Sequence, residues 1–293
     1  MRNETEIKNL ITGFATRDDR IRTVLLNGSR ANPTIQRDKL QDFDIVFIVS
    51  NYESFICDPD WINFFGEKLI YQLPDEMTFE KENATGATIG FHYLMLFKDG
   101  NRIDLTLFPI EFFKTRFVID SLIIVWLDKD NLFPGASPPT DADYHIRKPT
   151  EKEFLDTCNE FCWVSTYVAK GLIRKEITYA KEMFDTKVRP MFMKIIQWKI
   201  GVENNFAVPF GKGGKFMFKY LTDDYSAKVL QTYADSDIEN SWKSLFVMTA
   251  LFEQASYEIA LALKFQQNKV EIQNMISYLK QLHYGQKTLY TNG

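Results

Sequence analysis

The sequence has few of the residues that mark disulfide-rich or zinc-binding proteins. Its 293 residues include three cysteines and three histidines, and the histidines are dispersed. An odd number of cysteines does not form a disulfide framework. Cys158 and Cys162 are spaced to share one helix face, but a structural zinc site needs about four ligands and no second pair is present. We interpret them as small buried helix residues.

The sequence also lacks a long apolar run and an excess of positive charge. No stretch approaches the ~20 apolar residues that cross a bilayer, and Met1–Glu6 contains no signal-peptide apolar segment. We therefore expect a cytoplasmic protein without a membrane partner. A net charge of −4 disfavours a nucleic-acid partner, because phosphate neutralisation requires a basic surface. It is compatible with a cationic substrate.

The first half of the chain alternates strand-like and helix-like patterns. Asp99-Gly100 between two apolar runs predicts a hairpin, so the sheet should be mixed rather than all parallel. The patterns predict helices over 3–15, 55–71 and 111–120, and strands over 21–26, 43–49, 92–97, 102–108 and 121–127.

The second half is predicted to be a helical bundle. Prolines and glycine between 133 and 150 break regular structure, and Thr150-x-x-Glu153 is a capping box that begins a helix. Further helices are predicted over 174–188, 190–200, 223–234, 238–264 and 268–283. The fold class is therefore α/β plus all-α, with domains at 1–148 and 149–293.

Three carboxylates are placed by strand periodicity. Asp42 and Asp44 share one face of the run that begins at Phe43, and Asp104 lies inside the later run 102–108. Carboxylates on one side of a sheet repel each other unless a cation neutralises them. Mg²⁺ takes oxygen ligands from a few carboxylates and from substrate phosphates. The pattern predicts metal-assisted phosphoryl or nucleotidyl transfer.

Gly28-Ser29 follows the first predicted strand and precedes these acids. Alone, Gly-Ser after a strand is commonly a turn, and acids at strand ends are usually solvated. An acid inside a strand, such as Asp104, is unfavourable without a partner. Because the turn and all three acids occur together, we favour a catalytic role for them.

Longer segments resemble a known family. The runs 26–32, 41–44, 100–107 and 143–149 are similar to the streptomycin-modifying aminoglycoside 6-adenylyltransferases of the DNA polymerase beta-like nucleotidyltransferase superfamily, and so are shorter runs between 158 and 201. The likeness extends to about Tyr220. In the run Asn159-Glu160-Phe161, the tryptophan that follows in the family is replaced by Cys162, with Trp163 next.

The resemblance implies an N-terminal nucleotidyltransferase domain, a C-terminal substrate-binding helical domain, and transfer of AMP from ATP with Mg²⁺. Asp42 and Asp44 would hold the metal, and Asp104 would complete the metal site or accept the proton of the attacking hydroxyl. Residues expected to contact phosphate are Gly28, Ser29, Arg30 and, from the turn 211–215, Lys215.

A cationic aminoglycoside requires acids and ring faces. Candidate acids are Glu80, Glu82, Glu160, Glu176 and Asp185, of which Glu160 and Glu176 are favoured, with Trp163 as a ring surface. The expected partners are ATP and an aminoglycoside, bound by a monomer.

Two alternatives stay open. One is a nucleotidyltransferase that acts on a lincosamide, another small hydroxyl compound or a protein. The other is a catalytically inactive relative that binds a nucleotide or a partner protein.

Overall fold

The computed structural model describes residues 1–78 and 89–290, with side chains up to residue 285. Glu80 and Glu82 lie outside the described residues. The chain forms two compact units, the first Met1–Asp143 and the second beginning at Tyr144.

The described part of the first unit contains six strands: β1 (Ile21–Asn27), β2 (Phe43–Val49), β3 (Lys68–Gln72), β4 (Phe91–Phe97), β5 (Arg102–Pro109) and β6 (Ile123–Asp128). They form one sheet with the order β3-β4-β5-β2-β1-β6. Strands β2 and β5 run parallel, and the other neighbouring pairs are antiparallel. The predicted mixed sheet is therefore confirmed.

One face of the central strands packs into a hydrophobic core. Side chains alternate along a strand, so Phe43, Ile45 and Phe47 of β2 are buried while Asp44 points to the opposite face. The first helix, α1 (Glu4–Arg17), buries Ile7 and Ile11 in the same core. The opposite face of β2 and β5 carries the acids.

The predicted helix over 55–71 is wrong. The structure has a short helix, α3 (Glu53–Ile56), a 3-10 segment (Pro59–Phe65) and the edge strand β3. Pro59 begins the 3-10 segment, and Gly66 at φ 127° ends it in a conformation that L side chains rarely adopt. The predicted helix over 111–120 is also shorter, with only α4 (Phe113–Arg116) after a 3-10 turn at Ile110–Phe112.

The second unit is helical over its described residues. Thr150 and Glu153 form the predicted capping box, and the stripe from Phe154 to Leu172 is buried. A π-helical segment, Phe184–Val188, follows the sixth helix. The helices are α5 (Glu151–Ile173), α6 (Ile177–Met183), α7 (Arg189–Glu203), α8 (Asp223–Leu230), α9 (Ile238–Leu263) and α10 (Lys269–Tyr290).

Residues 144–148, predicted to belong to the first domain, lie in the second unit. The Ile146 amide donates to the Val208 carbonyl at 2.9 Å, His145 forms a β-bridge with Pro209, and Ile146 is buried in the helical core. Over the part of the chain that the structure describes, none of the helices has the length and apolar character that crossing a bilayer requires.

Candidate active site

Strand register brings the predicted acids of two strands side by side. Asp44 of β2 is the direct partner of Asp104 in the parallel strand β5, and Asn27 of β1 is the antiparallel partner of Asp44. Direct partners point to the same side of a sheet. Asp42 immediately precedes β2, and by alternation it lies on this side too. Asn27, Asp42, Asp44 and Asp104 therefore share the face opposite the core.

The Gly-Ser turn begins directly where β1 ends. Gly28 starts the short helix α2 (Gly28–Ala31) with φ +69°, a value that favours glycine. A β-carbon at this position would lie 2.2 Å from Asp44 Oδ2. Only glycine allows the Asp44 carboxylate to approach the turn this closely, so the backbone at Gly28-Ser29 and the acid form one site.

Arg102 belongs to the same cluster, although it is not among the site residues predicted from the sequence. Its guanidinium donates to both oxygens of Asp104, from Nε to Oδ1 at 2.7 Å and from Nη2 to Oδ2 at 2.7 Å. Nε also lies 3.7 Å from Asp42 Oδ2. The signal was present in the sequence, because a residue two positions before Asp104 in a strand shares its face.

The charges of this cluster alter its protonation equilibria. Burial raises the pKa of Asp42, an effect that the Arg102 charge opposes and the Asp104 charge reinforces. The hydrogen bond to Asp104 raises the pKa of Arg102. The guanidinium therefore stays protonated and acts as the fixed counterion of these carboxylates.

Arg30 makes contacts different from those predicted. Its side chain is 8% exposed, and it donates from Nη2 to the Gln41 carbonyl at 2.7 Å and from Nε to the Asp42 carbonyl at 3.1 Å. The guanidinium carbon also lies 3.8 Å from the centre of the Phe43 ring. These contacts hold the guanidinium against the backbone that precedes β2, and its contact with a phosphate stays a prediction.

The carboxylates are suitable ligands for Mg²⁺, but the described residues do not supply a complete coordination shell. Among the described residues, no three His, Cys, Asp or Glu side chains converge in a metal-binding geometry. In particular, both Asp104 oxygens face Arg102. Mg²⁺ commonly uses only one or two carboxylates and completes its shell with phosphates and water. Asp42 and Asp44 fit that requirement.

In the second unit, Glu160 lines a polar cleft of about 420 Å³ together with the acids Glu153 and Asp156 and the cations Arg147 and Lys194. Glu153 is already engaged by the capping box and by Arg147, and Asp156 pairs with Lys152 at 2.6 Å. The Glu160 side chain is exposed, and its carboxylate makes no hydrogen bond or ion pair within the part of the chain that the structure describes. Its carboxylate is therefore open to a ligand.

The other residues of this unit that were predicted to contact the aminoglycoside do not line the same cleft as Glu160. Trp163 is 62% exposed, and its Nε1 donates to Tyr167 Oη at 2.7 Å. Glu176 is exposed at the position before α6. Asp185 pairs with Arg189 at 3.0 Å in a separate cleft of about 560 Å³ that includes Gly211–Gly214.

Lys215 lies beside this glycine turn. Its Nζ lies 5.2 Å from the centre of the Phe216 ring. Its contact with a triphosphate stays a prediction.

A Gly-Ser turn against strand carboxylates, on the open face of a mixed sheet, is the arrangement that defines nucleotidyltransferases. Comparison with known proteins is more specific. The family model for streptomycin adenylyltransferase matches residues 1–282. An aminoglycoside 6-adenylyltransferase of Campylobacter jejuni is 42% identical over 266 residues, which cover 91% of each chain.

Further relatives have the same description. The aminoglycoside 6-adenylyltransferase of Bacillus subtilis (strain 168) is 39% identical over 267 residues, covering 90% of this chain and 93% of the relative. A crystal structure of an aminoglycoside 6-adenyltransferase from Bacillus subtilis is 32% identical, covers 97% of this chain and 99% of its own, and has a TM-score of 0.47. From the family match and the sequence identities, the chain belongs to the streptomycin adenylyltransferase family.

Proposed function

We propose that this protein transfers AMP from ATP to a hydroxyl of an aminoglycoside, the 6-hydroxyl of streptomycin, and so confers resistance to the drug. The observation that carries the proposal is the register of Asp44 with Asp104 on the open sheet face, against the Gly28-Ser29 turn. Membership of the streptomycin adenylyltransferase family supplies the acceptor class.

The reaction assigns a task to each part of the site. Asp42 and Asp44 hold Mg²⁺, which, when bound, neutralises charge on the phosphates. The Ser29 hydroxyl and the backbone N–H groups of the turn donate to phosphate oxygens. The acceptor oxygen bonds to the α-phosphorus, the bond from that phosphorus to the bridging oxygen breaks, and pyrophosphate leaves.

Asp104 is the neighbour of Asp44 and has two possible tasks, metal ligand or acceptor of the hydroxyl proton. The pH dependence of the rate separates these two roles. Asp104→Asn removes the rise of the rate with pH if the carboxylate accepts the proton, and it keeps that rise if the carboxylate is only a metal ligand.

Glu160 is the proposed contact for the cationic substrate. It is the carboxylate of the polar cleft in the second unit that lacks a partner among the described residues, and Trp198 also lines this cleft. An ammonium or guanidinium group of an aminoglycoside supplies the missing charge. We retain Glu176, Trp163 and Lys215 as predicted contacts of substrate or nucleotide.

The proposed location of the reaction is the cytoplasm. ATP is the co-substrate, and the cysteines Cys57, Cys158 and Cys162 are free thiols. Free thiols suit a reducing compartment.

The test is mass spectrometry of streptomycin after incubation with purified protein, ATP and Mg²⁺. We expect a mass gain of one adenylyl group, which Asp44→Asn abolishes. Asp19→Asn is the matched control, since this carboxylate is in the same unit and fully exposed, and it should retain activity. Pyrophosphate release with other hydroxyl compounds but not with streptomycin would refute the acceptor. No turnover with any acceptor would refute the enzyme.

A further inference from the structure

Arg102 lies among the carboxylates of the proposed metal site. It is the first residue of β5, and its side chain lies on the same face as Asp104. Two parallel hydrogen bonds of 2.7 Å join its guanidinium to the two Asp104 oxygens. This is the bidentate geometry in which arginine binds carboxylate most strongly and with a fixed orientation.

The guanidinium interacts with the whole cluster. Its Nε lies 3.7 Å from Asp42 Oδ2, and the Asp44 charge adds to the attraction. Arg102 therefore neutralises part of the charge that would otherwise make three neighbouring carboxylates repel each other. A sheet face with these acids and no cation would be destabilised, and Arg102 supplies the cation within the chain.

A divalent ion and a guanidinium compete for the same carboxylates. Their positive charges repel at a separation of a few ångströms, and the repulsion is strong because it acts near a protein surface rather than in bulk water. A metal that engages Asp104 must also displace at least part of the arginine fork. The absence of a ready three-carboxylate cage among the described residues agrees with this arrangement.

We propose that Arg102 is an intramolecular counterion that holds the carboxylate cluster closed to free divalent metal. This inference rests on the proposed metal role of Asp42 and Asp44. A bare metal ion gains the carboxylates but meets the arginine charge. A metal bound to ATP brings negative phosphates that compensate that charge, so the cluster favours the metal–nucleotide complex over free metal.

The test is Mn²⁺ binding to the nucleotide-free protein, followed by the electron paramagnetic resonance signal of free Mn²⁺. We expect Arg102→Gln to bind Mn²⁺ about 10-fold more tightly, as removal of one unit charge at this separation predicts. With ATP present, the gain should shrink or reverse, because the arginine charge then faces phosphate. Arg22→Gln is the matched control, since Arg22 pairs with Asp130 at the far end of β1. It should bind Mn²⁺ as the unchanged protein does.

Two outcomes distinguish this inference from the proposed function. If Asp44→Asn, introduced together with Arg102→Gln, leaves the Mn²⁺ affinity of Arg102→Gln unchanged, the metal site itself is refuted. If Asp44→Asn weakens Mn²⁺ binding but Arg102→Gln does not strengthen it, the metal site stands and the counterion role of Arg102 is overturned. Arg102 is 44% exposed, so we expect the glutamine variant to fold, as its circular dichroism will verify.

Arg102→Met is a second variant for the case in which Arg102→Gln does not fold. Methionine keeps an aliphatic stem but carries no charge. We expect the same gain of about 10-fold in Mn²⁺ affinity from removal of the charge. Unchanged or weaker binding would overturn the proposal.

Discussion

Gly28→Ala tests how closely the phosphate turn and the metal-binding acid depend on each other. The added β-carbon would lie 2.2 Å from Asp44 Oδ2 and 2.9 Å from its Cγ. To restore ordinary contact, the Asp44 carboxylate must retreat by about 1 Å. Its strand neighbours are fixed by the register of β2 between β1 and β5, so the side chain and not the strand should move.

Two effects follow from this displacement. A misplacement of about 1 Å at a reacting centre can cost about 100-fold in rate, and we expect kcat to fall by that order. The φ of +69° at Gly28 adds a backbone cost of about 1 kcal/mol for alanine. For a chain of this size, that cost lowers Tm by about 2–4 °C.

The assay combines streptomycin adenylylation kinetics with thermal unfolding. Gly13→Ala is the matched control, because Gly13 lies in helix α1 with nothing within 4 Å of an added β-carbon. It should raise stability by about 1 kcal/mol and leave kcat unchanged. Wild-type kcat and Tm in Gly28→Ala would refute the reasoning that glycine is required for the approach of Asp44 to the turn.

The remaining predictions concern the surroundings of the site. Arg30→Met should destabilise the protein by about 2 kcal/mol through the lost hydrogen bonds to the Gln41 and Asp42 carbonyls. It should lower kcat with little change in the KM for ATP, and a selective rise in that KM would instead indicate phosphate binding. Glu160→Gln should raise the KM for streptomycin by up to about 5-fold. The control Glu182→Gln, at another exposed glutamate, should leave this KM unchanged. The same KM for streptomycin in Glu160→Gln as in the unchanged protein would argue against binding of the drug in the proposed cleft. Asp99 accepts hydrogen bonds from Arg2 and Asn101 that hold its pKa well below its usual range, although burial opposes them. Its contribution should be present above pH ~4 and be lost as pH falls below the unfolded pKa. Acid unfolding of Asp99→Asn should therefore show a smaller loss of stability below pH ~4 than the unchanged protein, and identical pH dependence would contradict the assignment.

Local pattern was sufficient for much of the fold. Alternation along 43–49 and 102–108 predicts two strands, each with a buried and an acidic face. The Asp99-Gly100 turn predicts the strand that forms a hairpin with 102–108. The capping box at Thr150 and the apolar stripe after it predict the long helix that begins the second unit. These features depend on neighbours within a few residues, which is why the sequence shows them directly.

Patterns with weak periodicity were misleading. Two apolar residues four apart, Phe65 and Leu69, favoured a helix over 55–71, but Pro59 and Gly66 impose turns and 68–72 pairs with β4. Leu69, Ile70 and Tyr71 are exposed on this edge strand. Pairing with a strand more than 20 residues away along the chain decides the structure there, and no local pattern reports it.

By itself, the sequence determined the strands and the acids that share one face, because the period of a strand is local. Only the tertiary structure decided which groups meet those acids. The register of β2 with β5 sets Asp44 beside Asp104, and the close approach of Gly28 excludes a side chain at the turn. The buried Arg30 side chain donates hydrogen bonds to the Gln41 and Asp42 carbonyls. Arg102, two residues before Asp104, pairs with the Asp104 carboxylate. Contacts of this kind depend on the separation of side chains in space, which spacing along the chain does not specify.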